Sequence, residues 1–385
     1  MRKLGGDLLF KQLKMDVRLI KEIDKTALIS LILLILYGIL NIYLCTKGAY
    51  GLSFAKQQFF WFMLSIVALY FLMAVDYKII YDYVPIFYWG VVILLILTKV
   101  PGIGIVVNGA RGWINLGIGH IQPAEFAKLG IILMLAKNLD DMEGKINDVK
   151  NFFILGFYAA VPVLFIVTQP DMGMSMVCFF IVLGIFYTIG LDMKIIGGGL
   201  MSVVLIIVIV WNSGLIESYQ KARFTGFLNP AADDAKTGYH LTQSLIGIGS
   251  GGILGNRPSL SIDGSTGYAA QNVPEVETDF IFAAIAEQWG FLGAALLVVL
   301  YGFLIYKMIS IARTSKDIFG SVICVGIVSY FLFAILQNIG MTIGLMPITG
   351  ITLPLISYGG SSLLTTVISV GLVINVGMRR KKIYF

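Results

Sequence analysis

The sequence predicts an all-α polytopic membrane protein of about ten transmembrane helices, with both termini on one side and one long loop on the other. Three observations carry that expectation. Of 385 residues, 58% are hydrophobic and 13% are charged, where a soluble domain carries roughly 25% charged residues. The apolar residues are gathered into runs long enough to cross about 30 Å of hydrocarbon. The cations that separate those runs fall unequally on alternate loops, which fixes an orientation. A soluble fold of this size could not hide so much apolar surface.

The runs cover residues 26–45, 57–73, 79–97, 121–136, 151–167, 173–189, 195–211, 280–305, 318–345 and 360–376. The third and fourth are the least regular, because Pro85 and Pro123 interrupt them. An even number of spans places both ends together. The loops and ends on that side hold 19 Lys and Arg against 8 on the other, with Lys128 inside a span. The positive-inside rule makes the richer side cytoplasmic.

Three parts follow: a basic segment (1–25), an integral membrane domain (26–378) and a basic tail (379–385). The first segment repeats Phe10, Leu13, Val17, Ile20 and Ile23 at helical spacing, with cations on the other faces. It reads either as a helix lying on anionic lipid or as a basic tail that fixes topology. It lacks the short polar lead and small-residue cleavage site of a removable signal. The outer loop at 212–278 has room for short interfacial helices at 215–219 and 239–248.

Metal and redox chemistry find little footing among the cysteines and histidines. Cys45, Cys178 and Cys324 each lie in an apolar run, and His120 and His240 lack ligand spacing. The chemistry-bearing residues cluster instead at the outer ends of the spans. Arg111 and Trp113 lie in the outer loop between the third and fourth runs, just before Gln122-Pro-Ala-Glu125-Phe-Ala-Lys128. Pro123 suits a first helical turn, and Glu125 and Lys128 are then i, i+3 neighbours. Charges at this depth face a cavity or hold a partner helix, and the sequence leaves both readings open.

Asp171, in Gln169-Pro-Asp-Met-Gly173, reads as a helix N-cap. Lys221 and Arg223 in the long loop suit a pyrophosphate at the membrane surface. Gly247-Ile-Gly-Ser-Gly-Gly252 lacks the Lys and Ser/Thr of a nucleotide loop and reads as a hinge. The densest constellation is Pro274-Glu-Val-Glu-Thr-Asp279, three carboxylates in five residues where the loop re-enters the membrane. Helix capping would account for Asp279, and so would a general base for a lipid-anchored substrate. Residues 344–362, rich in Pro and Gly, read as irregular backbone, tolerated at membrane depth only when buried in protein or lining a cavity.

Six strings, NGARGWINLG, IQPAEFAKL, QPDMG, GYHLTQSLIGIGSGGILG, PEVETDFIFAAIAEQWG and QNIGMTIGLMPITGITLPLISYGGSS, occur in that order from Asn108 to Ser362. Together they resemble the SEDS family, which includes RodA, FtsW and SpoVE, and the Gly238-Tyr-His wording with Gln243 and Ser244 is nearer RodA. The resemblance implies a peptidoglycan glycosyltransferase in the bacterial cytoplasmic membrane that polymerises lipid II at its outer face. It implies Asp279 as the essential acidic residue. It also implies a class B penicillin-binding protein as partner, within elongation- or division-complex membrane proteins, and no nucleic acid.

The substrate-binding set expected beside Asp279 is Arg111, Trp113, Glu125, Lys128, Lys221, Arg223, Gln243, Ser244, Glu275, Ser357 and Tyr358. No cofactor is required, although Glu275 and Glu277 are where a divalent cation (Mg2+ or Mn2+) would be held. One departure stands out: Glu277 occupies the place where the family usually has His. Transfer from a lipid pyrophosphate needs one base and cations for the leaving group, whereas a glycosidase needs two matched carboxyl groups. A lipid II flippase, or a scaffold for the penicillin-binding protein, would use the same spans without the chemistry.

Overall fold

The computed structural model describes residues 17–107, 110–115, 117, 120–169, 171–213, 237–256 and 266–380. Helices dominate: α1 (Val17–Lys21), α2 (Lys25–Tyr50), α3 (Ser53–Ala74), α4 (Tyr77–Leu97), α5 (Pro123–Asp141), α6 (Val149–Val167), α7 (Met172–Ile189) and α8 (Met193–Asn212). After these come α9 (Thr237–Gly251), α10 (Tyr268–Asn272), α11 (Ile281–Arg313), α12 (Ile318–Thr342) and α13 (Gly360–Met378).

Every apolar run of the sequence is a helix here, and eight of these helices are long and apolar enough to cross a membrane. The runs at 121–136 and 195–211 fold as α5 and α8. The charges of α5 lower its apolarity, and the apolar stretch of α8, Met193–Ile209, is shorter. Helix α5 can carry charge because it is wrapped by protein: nearly every residue from Pro123 to Ala136 is buried, with Phe126 the exception. It packs with α12 and α13, whose residues are also mostly buried, as the centre of the bundle. Helix α8 shows the opposite pattern, with Val204, Leu205, Ile206, Ile207, Val208 and Ile209 all exposed as a lipid-facing surface would be.

Aspartates start many of these helices. Asp24, Asp76, Asp171, Asp192 and Asp317 each accept a hydrogen bond from a first-turn amide, satisfying donors that have no partner inside the helix. Three of them also pair with cations: Asp24 with Lys307 at 3.5 Å, Asp76 with Arg379 at 3.4 Å and Asp317 with Lys78 at 3.8 Å. Asp140 accepts from the Phe319 amide at 3.1 Å. The helix ends near both termini are thus tied together.

The opposite end has a feature that was not expected. The loop after α4 forms a small antiparallel sheet of β1 (Gly104–Val107), β2 (Ala110–Asn115) and β3 (His120–Ile121), in the order β1-β2-β3. Trp113 stands opposite Ile105, and Ile114 opposite Ile121. Alternation along β2 turns Gly112 and Ile114 inward and leaves Arg111 exposed.

The glycine cluster also differs from its sequence reading. Helix α11 breaks at Gly290 (φ 64°), and the freed amides of Phe291 and Leu292 donate to the carbonyls of Gly252 and Ile253, at 2.9 and 3.2 Å. A Cβ on Gly251 would stand 2.1 Å from the Ala286 carbonyl oxygen, and one on Gly255 2.1 Å from that of Gln288. Gly251 and Gly255 therefore form a close-packed seam between two backbones, where glycine serves approach rather than hinging. The helix expected at 239–248 is α9; the one at 215–219 lies outside the described residues.

Candidate functional site

Asp279 lies on the turn that leads into α11, half-exposed, with Phe280 at the helix cap position after it. The turn is formed by Glu275, whose φ is 53° and whose carbonyl accepts from the amides of Thr278, Asp279 and Phe280. Its outer wall is the irregular segment between α12 and α13. Ile351, Leu353, Leu355 and Ile356 of that segment are buried, so non-helical backbone is indeed shielded by protein.

Two side chains bolt the turn to this segment. Ser357 donates to the Thr278 carbonyl at 2.5 Å and accepts from the Leu353 amide at 2.8 Å. Asn338, on α12, donates to the carbonyls of Asp279 at 2.9 Å and Ile351 at 2.7 Å. The Tyr358 amide donates to the Glu277 carbonyl at 2.8 Å, and the Tyr358 hydroxyl to Gln57 at 2.6 Å. Gln58 of α3 completes the frame, donating to the Ser357 carbonyl and accepting from the Gly359 amide, both at 3.1 Å. Gly350, at φ 74°, is where the segment passes the Asp279 carboxylate: a Cβ there would lie 3.4 Å from Asp279 Oδ2.

The other strings join through the same segment. The Thr349 carbonyl lies against Gly173, where a Cβ would come within 2.7 Å. Asp171 caps α7 through the Met174 amide at 2.9 Å, as its position suggested, and also accepts from Gln122 at 3.0 Å. Gln169, buried, donates to Thr98 at 2.8 Å and sits under Gly112 of β2. Ser361 donates to the His120 carbonyl and accepts from the Gln122 amide, both at 3.3 Å, which fastens β3 to α13. Residues as far apart in sequence as Gln57 and Tyr358, 301 positions, are thus joined through this segment.

Glu125 and Lys128 are deeper. They form an ion pair of 2.7 Å with side chains 4% and 6% exposed. Thr365 donates to Glu125 at 3.0 Å, and the Lys128 ammonium lies 4.0 Å from the Tyr330 ring centre. Each charge thus has a partner on a neighbouring helix as well, Thr365 on α13 and Tyr330 on α12. Ser244 is fully buried and donates to the Thr342 carbonyl at 2.9 Å, while Gln243 accepts from the Tyr268 hydroxyl. These two fasten α9 to α12 and α10. Arg111 is exposed on β2 and Trp113 half-buried beside it. Lys221 and Arg223 lie outside the described residues.

Glu277 is half-buried and its charge faces Cys45 and Tyr358. Burial, with the nearby Glu275 charge, raises its carboxyl above the ordinary value of 4.5. Glu275 itself is exposed and accepts from the Thr278 hydroxyl at 3.2 Å. Among the described residues no three His, Cys, Asp or Glu side chains gather as a metal site.

Sequence reading alone passed over Gln58, Asn338 and Glu287. All three are buried polar residues within or beside apolar helices, and such residues are costly unless they have a task. Glu287 accepts from the amides of Tyr268 and Ala269 at 2.5 and 2.8 Å and so caps α10.

This is a multi-pass bacterial membrane protein, and its likeness to known proteins spans nearly its whole length. It is 33% identical to stage V sporulation protein E of Bacillus subtilis over 92% of this chain and 96% of that protein. It is 31% identical to the peptidoglycan glycosyltransferase MrdB of Escherichia coli K12 over 94% of this chain and 95% of that one. A chain from a structure titled for coordination of polymerization and crosslinking by a peptidoglycan synthase complex superposes with a TM-score of 0.79 at 28% identity, covering 94% of this chain and 99% of that one. Residues 23–382 match the FtsW/RodA/SpoVE cell cycle protein model, and the chain belongs to that family.

Proposed function

We propose that this protein is a peptidoglycan glycosyltransferase that polymerises lipid II at the outer face of the bacterial cytoplasmic membrane, with Asp279 as general base. The observation that carries the reading is the half-exposed carboxylate turn at Asp279, held by α12 and residues 350–358, which α3 braces in turn. Such a framework holds one carboxylate where a lipid-anchored sugar can reach it.

In the proposed step, Asp279 takes the proton of the acceptor hydroxyl as its oxygen attacks the anomeric carbon of the donor sugar. The bond from that carbon to the pyrophosphate oxygen breaks, and undecaprenyl pyrophosphate leaves with the electron pair. The leaving group is already anionic, so cations rather than a second acid serve it. Arg111, exposed on β2, is a candidate for that work, with Lys221 and Arg223 of the long loop as further candidates. Ten membrane passes with cytoplasmic termini would put this end outside, in keeping with the 19-to-8 division of cations.

A class B penicillin-binding protein is the proposed partner. The similarity to a chain from a synthase complex that couples polymerization to crosslinking supports it. Elongation- or division-complex membrane proteins and anionic lipids are its expected surroundings.

The test is purified protein with that partner and lipid II. Asn keeps the shape of Asp but takes no proton near neutral pH. Asp279→Asn is expected to retain folding, partner binding and lipid II binding while polymerisation falls about 10²–10⁴-fold. Near wild-type glycan synthesis by that variant would remove Asp279 from the role.

A further inference from the structure

We infer that Asn338 is a positioning residue for Asp279, acting through the backbone rather than on substrate; this rests on the reading of Asp279 as the base. Asn338 is fully buried in α12, with 0% exposure. Its one side-chain nitrogen donates in two directions, to the Asp279 carbonyl at 2.9 Å and to the Ile351 carbonyl at 2.7 Å. Ile351 follows Gly350, the residue that passes the Asp279 carboxylate. A single rigid amide therefore sets both the peptide that carries the carboxylate and the chain that lines it.

The backbone at Asp279 is fixed from two sides. Thr278 is held by Ser357 through its carbonyl, one residue earlier. At residue 279 itself the carbonyl points to Asn338, and the amide bonds within the turn to Glu275. Both protons of the Asn338 amide nitrogen are used, whereas its oxygen is buried with no hydrogen-bond partner among the described residues. An unpaired buried acceptor is costly, and the residue keeps it while spending both donors on the two carbonyls. A residue serving only to join helices could be apolar at this depth; one that must fix two carbonyls could not. Misplacing a reacting group by about 1 Å can cost on the order of 100-fold in rate.

A matched control exists at the other end of the bundle. Asn375 on α13 also donates to two backbone carbonyls, those of Leu72 and Val75, the latter at 2.7 Å. It shares the donation to two carbonyls, differs in that its oxygen accepts from Arg379 at 2.7 Å, and is remote from Asp279 in the fold.

The experiment compares Asn338→Ala and Asn375→Ala, each alone and combined with Asp279→Asn, in the purified protein with its partner. The readouts are lipid II polymerisation rate, KM, thermal unfolding in detergent and the pH–rate profile. Asn338→Ala is expected to lower kcat about 10-fold or more with KM nearly unchanged, and to move the acidic limb of the pH profile. In the Asp279→Asn background it should cause little further loss, because residues that act as a unit are not additive. Asn375→Ala should lower the unfolding temperature, leave the pH profile in place and affect both backgrounds equally.

Equal rate losses from Asn338→Ala in the two backgrounds would overturn the inference, as would a wild-type rate. If Asn338→Ala does not fold, Asn338→Ser, which keeps one donor, enters the same comparison with the same outcomes. A failure of the underlying reading is seen separately, as activity retained by Asp279→Asn alone.

Discussion

Glu125 and Lys128 close a 2.7 Å ion pair in the middle of the bundle, and each has a second partner, Thr365 for the carboxylate and the Tyr330 ring for the ammonium. Breaking a buried pair leaves one charge uncompensated, at a cost of about 3–5 kcal/mol. Lys128→Met should therefore reduce the yield and the unfolding temperature of the solubilised protein sharply. Replacing both charges, as Glu125→Gln with Lys128→Met, should recover most of that stability, and polymerisation should recover with it to within about 10-fold, since the pair is occupied with itself. A double variant that folds well and makes no glycan would instead give the pair a part in substrate handling.

Gly350 sits at φ 74° beside the Asp279 carboxylate. An alanine there must hold a left-handed conformation, which costs roughly 1–2 kcal/mol, and its methyl would meet Asp279 Oδ2 at 3.4 Å. Gly350→Ala is expected to cost polymerisation more than stability, because the strain falls on the segment that lines the carboxylate. Circular dichroism and thermal unfolding should show a folded protein with a modest shift, while the rate with lipid II drops. Unchanged activity in a well-folded Gly350→Ala protein would mean the segment has slack at this point.

Much of this arrangement was legible in the chain because the membrane imposes length and period. Each of the ten apolar runs became a helix, since a lipid-facing backbone must satisfy its own hydrogen bonds. Asp171 was readable as a cap because its chemistry is local: its partner, Met174, is three residues away. The contacts that fail to show in sequence are those between distant segments. The sheet at 104–121 has strands of two to six residues interrupted by glycine, too short to leave a period. Gly251 falls in the cluster that reads as a hinge because glycine permits both mobility and close approach, and only the backbone of α11 beside it decides which. Asn338 stood in view among the matching strings, yet its partner Asp279 is 59 residues away.

Glu277 gives a stability prediction with a definite sign. Burial and the charge of Glu275 hold its carboxyl above the ordinary 4.5 in the folded protein. The folded state thus binds that proton more tightly than the unfolded chain does. The associated stability is fully present below the ordinary carboxylate range and is lost as pH rises through the elevated value. Glu277→Gln, which cannot ionise, should escape that loss. Its unfolding temperature relative to the native protein should rise as pH is taken from 4 towards 8, and level off once Glu277 is ionised. A difference that stays flat across the range would show that Glu277 is not held in a desolvating site.

Orientation in the membrane is open to direct chemical test. The helix ends near both termini are tied by Asp24–Lys307, Asp76–Arg379 and Lys78–Asp317, while the Asp279 turn and the small sheet belong to loops at the other end. Nineteen of the flanking cations lie on the terminal side and eight on the other, so the terminal side should be cytoplasmic. Cys45, Cys178 and Cys324 are buried and can be replaced by alanine to give a background without thiols. Single cysteines are then placed at Asn108 and Ser259, in loops that the cation division assigns to the outer face, and at Lys145, which is exposed between α5 and α6. A membrane-impermeant maleimide applied to intact protoplasts should label the first two, and label Lys145→Cys only after the membrane is opened. Labelling of Lys145→Cys from outside would invert the orientation or change the number of passes. Asp279 would then face the wrong compartment for building an external wall.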